Sequence, residues 1–285
     1  MALRVYNNLF SLNAQRNLGT NNSALGTSLE RLSSGLRINR GADDAAGLAI
    51  SEALRSDIRG LNQALRNAND GISMINTAEG ALSEQGSIVI RMRELAAQAA
   101  TGTVGSAERT TINREFTALR DEIDRITAVT EFNGQKLLNG ALTGTVPAAS
   151  SVVIQVGMQN STSDRINLNS AVNMTTISST GLGIKDLSVA FSSSALAAMA
   201  TLDTALATVT ESRGKLGAVQ NRLVHTINNL AVSAENLQAA ESQIRDADYS
   251  AEISQFTRNQ ILVQASTAIL AQANLVPQSV LQLLG

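Results

Sequence analysis

The 285-residue chain reads as a mainly α protein: a long coiled-coil helical bundle formed by its N- and C-terminal segments, with a small β-hairpin region in the middle. Three observations predict this. Aliphatic residues recur at alternating spacings of three and four through two long stretches toward the chain ends. Aromatic residues make up only 2% of the chain, and Trp is absent. The two Pro residues, Pro147 and Pro277, leave long stretches free to remain helical. A broad globular core ordinarily uses aromatic side chains, each of which buries a large area, whereas the seams of a helical bundle are filled well by Leu, Ile, Val and Ala.

The first predicted helix carries Leu18, Leu25, Leu29, Leu32 and Leu36, largely at heptad spacing, and is interrupted at Gly35 and again at 39–41. A second, stricter run is Leu54, Ile58, Leu61, Leu65, Ala68, Ile72 and Ile75. It continues through Leu82 with a phase slip to Ile88, Met92, Leu95 and Ala99, and Gly102 and Gly105 end it. The third helix reads Ile112, Phe116, Leu119, Ile123 and Ile126 and stops near Asn133-Gly134. Residues 140–190 are rich in Ser, Thr, Gly, Asn and Val. Within them Val152, Ile154, Val156 and Met158, then Ile166 and Leu168, alternate with small or polar neighbours around residues 160–163, which predicts a β-hairpin. From Met199 a very long helix follows through Leu202, Leu206, Val209, Leu216, Leu223, Ile227, Leu230, Leu237 and Ile244, with polar Arg213, Gln220 and Glu241 at the skipped seam places. At about 1.5 Å per residue it would be roughly 70 Å long. Ile253, Phe256, Val263 and Leu270 are expected to continue it up to Pro277.

The residues exclude more chemistry than they offer. A net charge of −2 supplies no field that would draw the chain to nucleic acid or to an acidic membrane. With no Cys there is no disulfide framework or thiolate metal site. His225 is the only histidine, so a multi-His metal site or a histidine-based catalytic triad cannot be assembled. The twenty Gly never fall into a phosphate-cradling spacing. Asp43-Asp44 reads as a pair of charges suiting a helix start, and Asp246 and Asp248 likewise. Arg91 and Arg93, with Glu94 beside them and no aromatic neighbour, read as a solvated or protein-contacting face. The start, MALRVYNN, lacks an apolar stretch of signal-peptide length, and no run is long and apolar enough to span a bilayer. No catalytic, cofactor-binding or metal-ligating residue is assigned, no cofactor is expected, and the chain is not expected to be an enzyme.

Both ends of the chain resemble a known family. RLSSGLRINRGADDAAGLAIS at 31–51, NDGIS at 69–73 and TAEGAL at 77–82 are similar to the N-terminal region of bacterial flagellins. ADYSAE at 247–252, QIL at 260–262, LAQANLVPQ at 270–278 and the closing VLQLLG at 280–285 are similar to their C-terminal region. The resemblance implies an inner terminal domain, here 1–43 with 245–285, and a spoke-like helical domain, here 44–244, with its β-hairpin around 140–190. The family's larger variable outer domains would be missing.

It also implies a structural subunit that self-assembles into the helical filament of the bacterial flagellum for motility. Such a subunit is exported unfolded through the flagellar type III apparatus and is secreted to the extracellular flagellum. The assembly residues would be Leu18, Leu25, Leu29, Leu32, Phe256, Val263 and Leu270, left for neighbouring copies to cover. The implied partners are further copies of the chain, an export chaperone, and filament cap and junction proteins, without nucleic acid or membrane. RMRELA at 91–96 resembles the segment that Toll-like receptor 5 of a host recognises, which makes Arg91, Leu95 and Glu115 candidate receptor contacts by matching position. A hook–filament junction protein and a cytoplasmic coiled-coil adaptor are the alternatives. The joint match at both ends favours the filament subunit.

Overall fold

The computed structural model describes residues 8–145, 147 and 151–284, with side chains to 275. Residues 1–7 of the opening segment and Gly285 of the closing motif lie outside the described residues. The chain forms two compact units, one of Met1–Ser56 with Asn236–Gly285 and one of Asp57–Glu235.

In the first unit, helix α1 spans Leu9–Ser34 and helix α6 spans Tyr249–Leu284. Asn8 caps α1 by accepting the Ser11 amide at 3.1 Å. Gly35, at φ 74, ends the helix by donating its amide to the Arg31 carbonyl. Leu36 therefore lies outside the helix, in an isolated antiparallel bridge to Asp246. The Arg37 amide donates to the Arg245 carbonyl at 2.7 Å and the Ala247 amide to the Gly35 carbonyl at 3.0 Å. This clamp breaks the C-terminal helical run, so α6 is a separate helix and not the continuation that the apolar spacing implied. Asp248 restarts the helix by accepting the Ser250 and Ala251 amides at 2.8 and 3.2 Å. The α6 backbone also runs through Pro277 instead of ending before it.

Helices α2 (Ala45–Ala100) and α5 (Ser192–Arg245) each pass through the boundary between the units. The 54 residues of α5 make it longer than the expected run from Met199, because Ser192 begins it. At about 1.5 Å per residue it is roughly 80 Å along its axis.

In the second unit, α2 and α5 pack with α3 (Ser106–Val129) around Leu82, Met92, Leu95, Phe116, Ile123, Leu202, Val209, Leu216 and Leu223. Two of the skipped seam places on α5 reach across to α2: Arg213 to Glu79 at 3.6 Å and Gln220 to Asn76 at 3.2 Å. Asn133-Gly134, which the sequence marked as a helix stop, is the turn of a tight hairpin between β1 (Glu131–Phe132) and β2 (Gln135–Lys136). Both turn residues have positive φ, 50 and 78, as a two-residue hairpin turn of the primed type requires. The expected middle hairpin is present as β3 (Val153–Gln155) against β4 (Arg165–Asn167), with Ile154 opposite Ile166 and both buried. A short helix, α4 (Leu168–Val172), follows.

Side-chain amides and carboxylates tie the irregular segment 176–190 to the helices. Buried Gln85 donates from Nε2 to Thr127 Oγ1 at 2.9 Å and to the Ile177 carbonyl at 3.1 Å. Asp124 accepts both the amide and the hydroxyl of Ser179 at 2.7 Å. Asn113 Oδ1 accepts the Val189 amide at 2.9 Å. Gly181 completes the fit, because a Cβ there would fall 1.9 Å from the Thr176 carbonyl oxygen.

Gly181→Ala should accordingly force a backbone shift and destabilise the second unit by about 1–3 kcal/mol. Gly80→Ala, on α2 with nothing within 4 Å of the added Cβ, should stabilise it by roughly 0.5–1 kcal/mol. Thermal melts of the two variants should move in opposite directions. Equal shifts would contradict the packing described for 176–190.

Candidate functional site

The surface with functional character in the first unit is the α1–α6 pair. Heptad positions along α1 alternate between an aliphatic row, Leu18, Leu25 and Leu32, and a row of small or polar residues, Ala14, Asn21 and Ser28. On α6 the rows are Phe256, Val263 and Leu270, and Asn259, Ser266 and Ala273, the second preceded one heptad earlier by Glu252. The helices run antiparallel. Asn21 Nδ2 donates to Ser266 Oγ at 2.8 Å and Asn259 Nδ2 to Ser28 Oγ at 3.3 Å. At one end Arg31 meets Glu252 at 3.7 Å. At the other, Asn8 Nδ2 donates to the Ala273 carbonyl and Ser11 Oγ to Asn274 Oδ1, both at 2.8 Å.

The burial pattern of this pair is inverted relative to a soluble helical hairpin. Among the residues whose side chains are described, its buried positions on the two helices are Ala14, Ser28, Asn259, Ser266 and Ala273. Leu9, Phe10, Leu12 and Leu29 on α1, and Ile253, Ile261, Leu262, Ile269 and Leu275 on α6, are 41–61% exposed. Of the seven predicted assembly residues, the structure brings Leu18, Leu25, Leu32, Phe256, Val263 and Leu270 into the seam, half-buried, and leaves Leu29 exposed. The apolar residues alone do not reveal the polar row of the seam. The signal was present, since Ala14, Asn21 and Ser28 each stand four residues before a seam Leu.

Between the two terminal helices and the rest of the unit lies a charged turn. Asp44 Oδ1 caps α2 by accepting the Gly47 amide at 2.9 Å, in keeping with a carboxylate at a helix start. Asp43 does something else: its Oδ2 accepts the Arg40 and Asn39 amides at 3.0 and 3.1 Å and so closes the 39–43 turn. Those amides, Arg40's first, hold the Asp43 carboxyl below the ordinary range. Arg245 spans from α5 to Glu52 on α2 at 2.8 Å and, above all other causes, lowers the Glu52 carboxyl.

In the second unit, Arg91 Nε and Nη2 reach Glu115 at 3.0 and 2.9 Å, and Nη1 reaches Glu94 at 3.0 Å. All three side chains are solvent-facing, and the carboxylates, Glu115 first, raise the pKa of the guanidinium. Leu95, predicted beside them as a receptor contact, is only 2% exposed and belongs to the core. The structure thus presents Arg91 and Glu115 together on the surface and places Leu95 beneath them. Among the described residues, no group of three or more acidic or histidine side chains is disposed to hold a metal ion, and no helix is long and apolar enough to cross a membrane.

Residues 5–143 match the bacterial flagellin N-terminal helical region and residues 199–284 the bacterial flagellin C-terminal helical region. A flagellin of Bacillus subtilis is 48% identical over 99% of this chain and 100% of its own length. A flagellin of Halalkalibacterium halodurans is 49% identical over 98% of this chain and 99% of its own. A solved structure of a putative flagellar hook-associated protein from Vibrio parahaemolyticus shares the fold with a TM-score of 0.56, at 15% identity over 72% of this chain and 100% of that one. The chain belongs to the bacterial flagellin family, in a short form without a large outer domain.

The sign of the acid response follows from the two lowered carboxyls. Each has its folded pKa below its unfolded one, so its contribution is present above the unfolded value and is lost as pH falls through the folded value. Amide protection in the 36–52 segment, corrected for the intrinsic pH dependence of exchange, should therefore fall on acidification below about pH 5. Asp43→Asn should exchange faster already at neutral pH and show a smaller acid response. An acid response in Asp43→Asn equal to that of the parent chain would exclude this carboxylate as a source.

Proposed function

We propose that the chain is the structural subunit of a bacterial flagellar filament, exported unfolded through the flagellar type III apparatus and assembled outside the cell into a helical homopolymer. Its role is mechanical and involves no catalytic step. The supporting observation is the inverted α1–α6 pair. Apolar side chains lie on α6 both in the seam and away from it, so pairing with α1 alone leaves most of its described large residues in water. A helix that is apolar nearly all round calls for neighbours on more than one side. Covering each half-exposed Leu or Ile is worth on the order of 1 kcal/mol, and a polymer can cover many at once.

Contacts of this kind join different patches on successive copies and do not close, so they propagate as a helix. The same marginal pair suits passage as an unfolded chain, since a short seam with a polar row gains little from folding alone. Export chaperone, filament cap and junction proteins are the further partners this role requires. The proposed domain assignment is an inner terminal domain of 1–43 with 245–285 and a spoke-like domain of 44–244.

Leu18, Leu25, Leu32, Phe256, Val263 and Leu270 are proposed to act by holding the pair together, with Leu29 and the exposed face of α6 contacting neighbours. Replacing Ile261 and Ile269 by Glu should leave the melting of the second unit within about 0.5 kcal/mol of the parent and abolish seeded polymerisation seen by electron microscopy. Removing 1–43 or 245–285 should do the same. Filaments of normal length from any of these would refute the assembly role.

A second reading concerns host recognition at the exposed Arg91–Glu115–Glu94 cluster, proposed as a contact for Toll-like receptor 5. Arg91→Ala and Glu115→Ala should each reduce receptor activation by soluble monomer without changing its helicity. Leu95→Ala is unsuitable as a probe, because emptying a buried Leu site costs about 2–5 kcal/mol. Undiminished activation by both surface variants would dismiss the contact.

A further inference from the structure

We infer that the polar row of the α1–α6 seam selects the register in which the two terminal helices pair, through a matched alternation of long and short side chains. The inference rests on the terminal pair being the assembly element. The apolar row cannot select a register. Leu18, Leu25 and Leu32 repeat every seven residues, as do Phe256, Val263 and Leu270. Sliding one helix by a heptad would again set apolar against apolar.

The polar row is not degenerate in this way. In the observed register Asn21 faces Ser266 and Ser28 faces Asn259, so each amide meets a short hydroxyl across the seam. The same register sets Ala14 opposite Ala273, the smallest pair, both buried. A one-heptad slip in one direction would bring Asn21 against Asn259 and Ser28 against Glu252. A slip in the other would bring Asn21 against Ala273, which has no side-chain acceptor, and Ser28 against Ser266. The first crowds two amides and buries a carboxylate on a hydroxyl, and the second leaves the half-buried Asn21 amide unpaired. The ends of the pair add to the choice, because Arg31–Glu252 and Asn8–Ala273 form in one register only. Polar seam residues are known to specify register at the expense of stability.

The expense is visible here. Arg31 Nε and Glu252 Oε1 are buried without a hydrogen-bond partner, and the row contributes apolar burial only through the small Ala14 and Ala273. Selection and marginal stability are therefore one property of the same residues. The backbone clamp at 35–37 with 245–247 fixes where the two helices meet, but it holds only the end of α1 and the start of α6.

The chain has no cysteine, so engineered pairs can report register directly. Leu25→Cys with Val263→Cys reports the observed register, and Leu25→Cys with Leu270→Cys reports a one-heptad slip. Cross-linking is read in soluble chain and in filaments. In the otherwise unchanged chain only the first pair should cross-link. Adding Ser266→Asn should shift the ratio toward the slipped pair by about tenfold, the change expected for one lost hydrogen bond. Adding Asn21→Ser to that variant restores a long–short pair with its order reversed and should return the ratio to its starting value.

If Ser266→Asn leaves the slipped pair uncross-linked, or if Asn21→Ser fails to restore the ratio, the polar row does not set the register and the clamp suffices. Failure of the parent chain to polymerise would count against the filament role alone, because the cross-link ratio in soluble chain still reports register.

Discussion

Everything distinctive about the terminal unit follows from the shared seam of α1 and α6, in which one heptad row is aliphatic and the other is small or polar. A two-helix contact has few buried positions, so assigning half of them to Asn, Ser and Ala removes much of the apolar area that could hold the pair together. It also draws the helices close, since Ala14, Ser28 and Ala273 have little bulk to keep them apart. Large aliphatics such as Ile253, Ile261 and Ile269 then have no place in the seam and face outward. One choice of seam residues thus weakens the isolated pair and enriches its outer surface in apolar area.

The second unit is built on the opposite rule. Its aliphatic positions are filled inward by α2, α3 and α5, and its polar groups are used as ties with defined partners. Gln85, Asp124 and Asn113 each hold a separate part of the 176–190 segment to a helix. Each is a side chain reaching backbone groups that no strand or helix satisfies, as buried irregular backbone requires. Gln85 Oε1 remains without a partner, so the network is not saturated. In this unit polar chemistry completes a core; in the terminal unit it interrupts one.

The contrast explains which parts were legible in the sequence. Helices α2, α3 and α5 and the β3–β4 hairpin could be read from periodicity because burial decides their residues, and burial has a period. The break between α5 and α6 could not. It depends on Gly35 and Leu36, some two hundred residues away in the chain, pairing with 246–247, and no local pattern announces such a bridge. Asn133-Gly134 was recognised as a stop but not as a hairpin turn, since two-residue strands are too short to show alternation. At the terminal seam the apolar row is legible and the polar row is not, because Asn and Ser carry no apolar period even where they occupy seam positions. Leu95 failed as a surface residue for a related reason: its motif position said nothing about which side of α2 it occupies, whereas its place in the heptad run with Met92 and Ala99 pointed to the core.

An exchange of stability for selectivity makes physical sense only if the missing stabilisation is supplied elsewhere. A terminal pair with an all-aliphatic seam would close on itself in the lone chain, bury its best surfaces prematurely and accept several registers of similar energy. With the polar row in place the pair gains little until other apolar groups cover Leu9, Leu12, Leu29 and the outward face of α6. When they do, the register decides whether those groups meet in step from one copy to the next. An error of one heptad, about 10 Å along a helix at 1.5 Å per residue, would misplace every outward Ile and Leu at once. A polymer of many copies compounds such an error along its length, so fidelity within each pair is worth more to it than the stability of any single subunit.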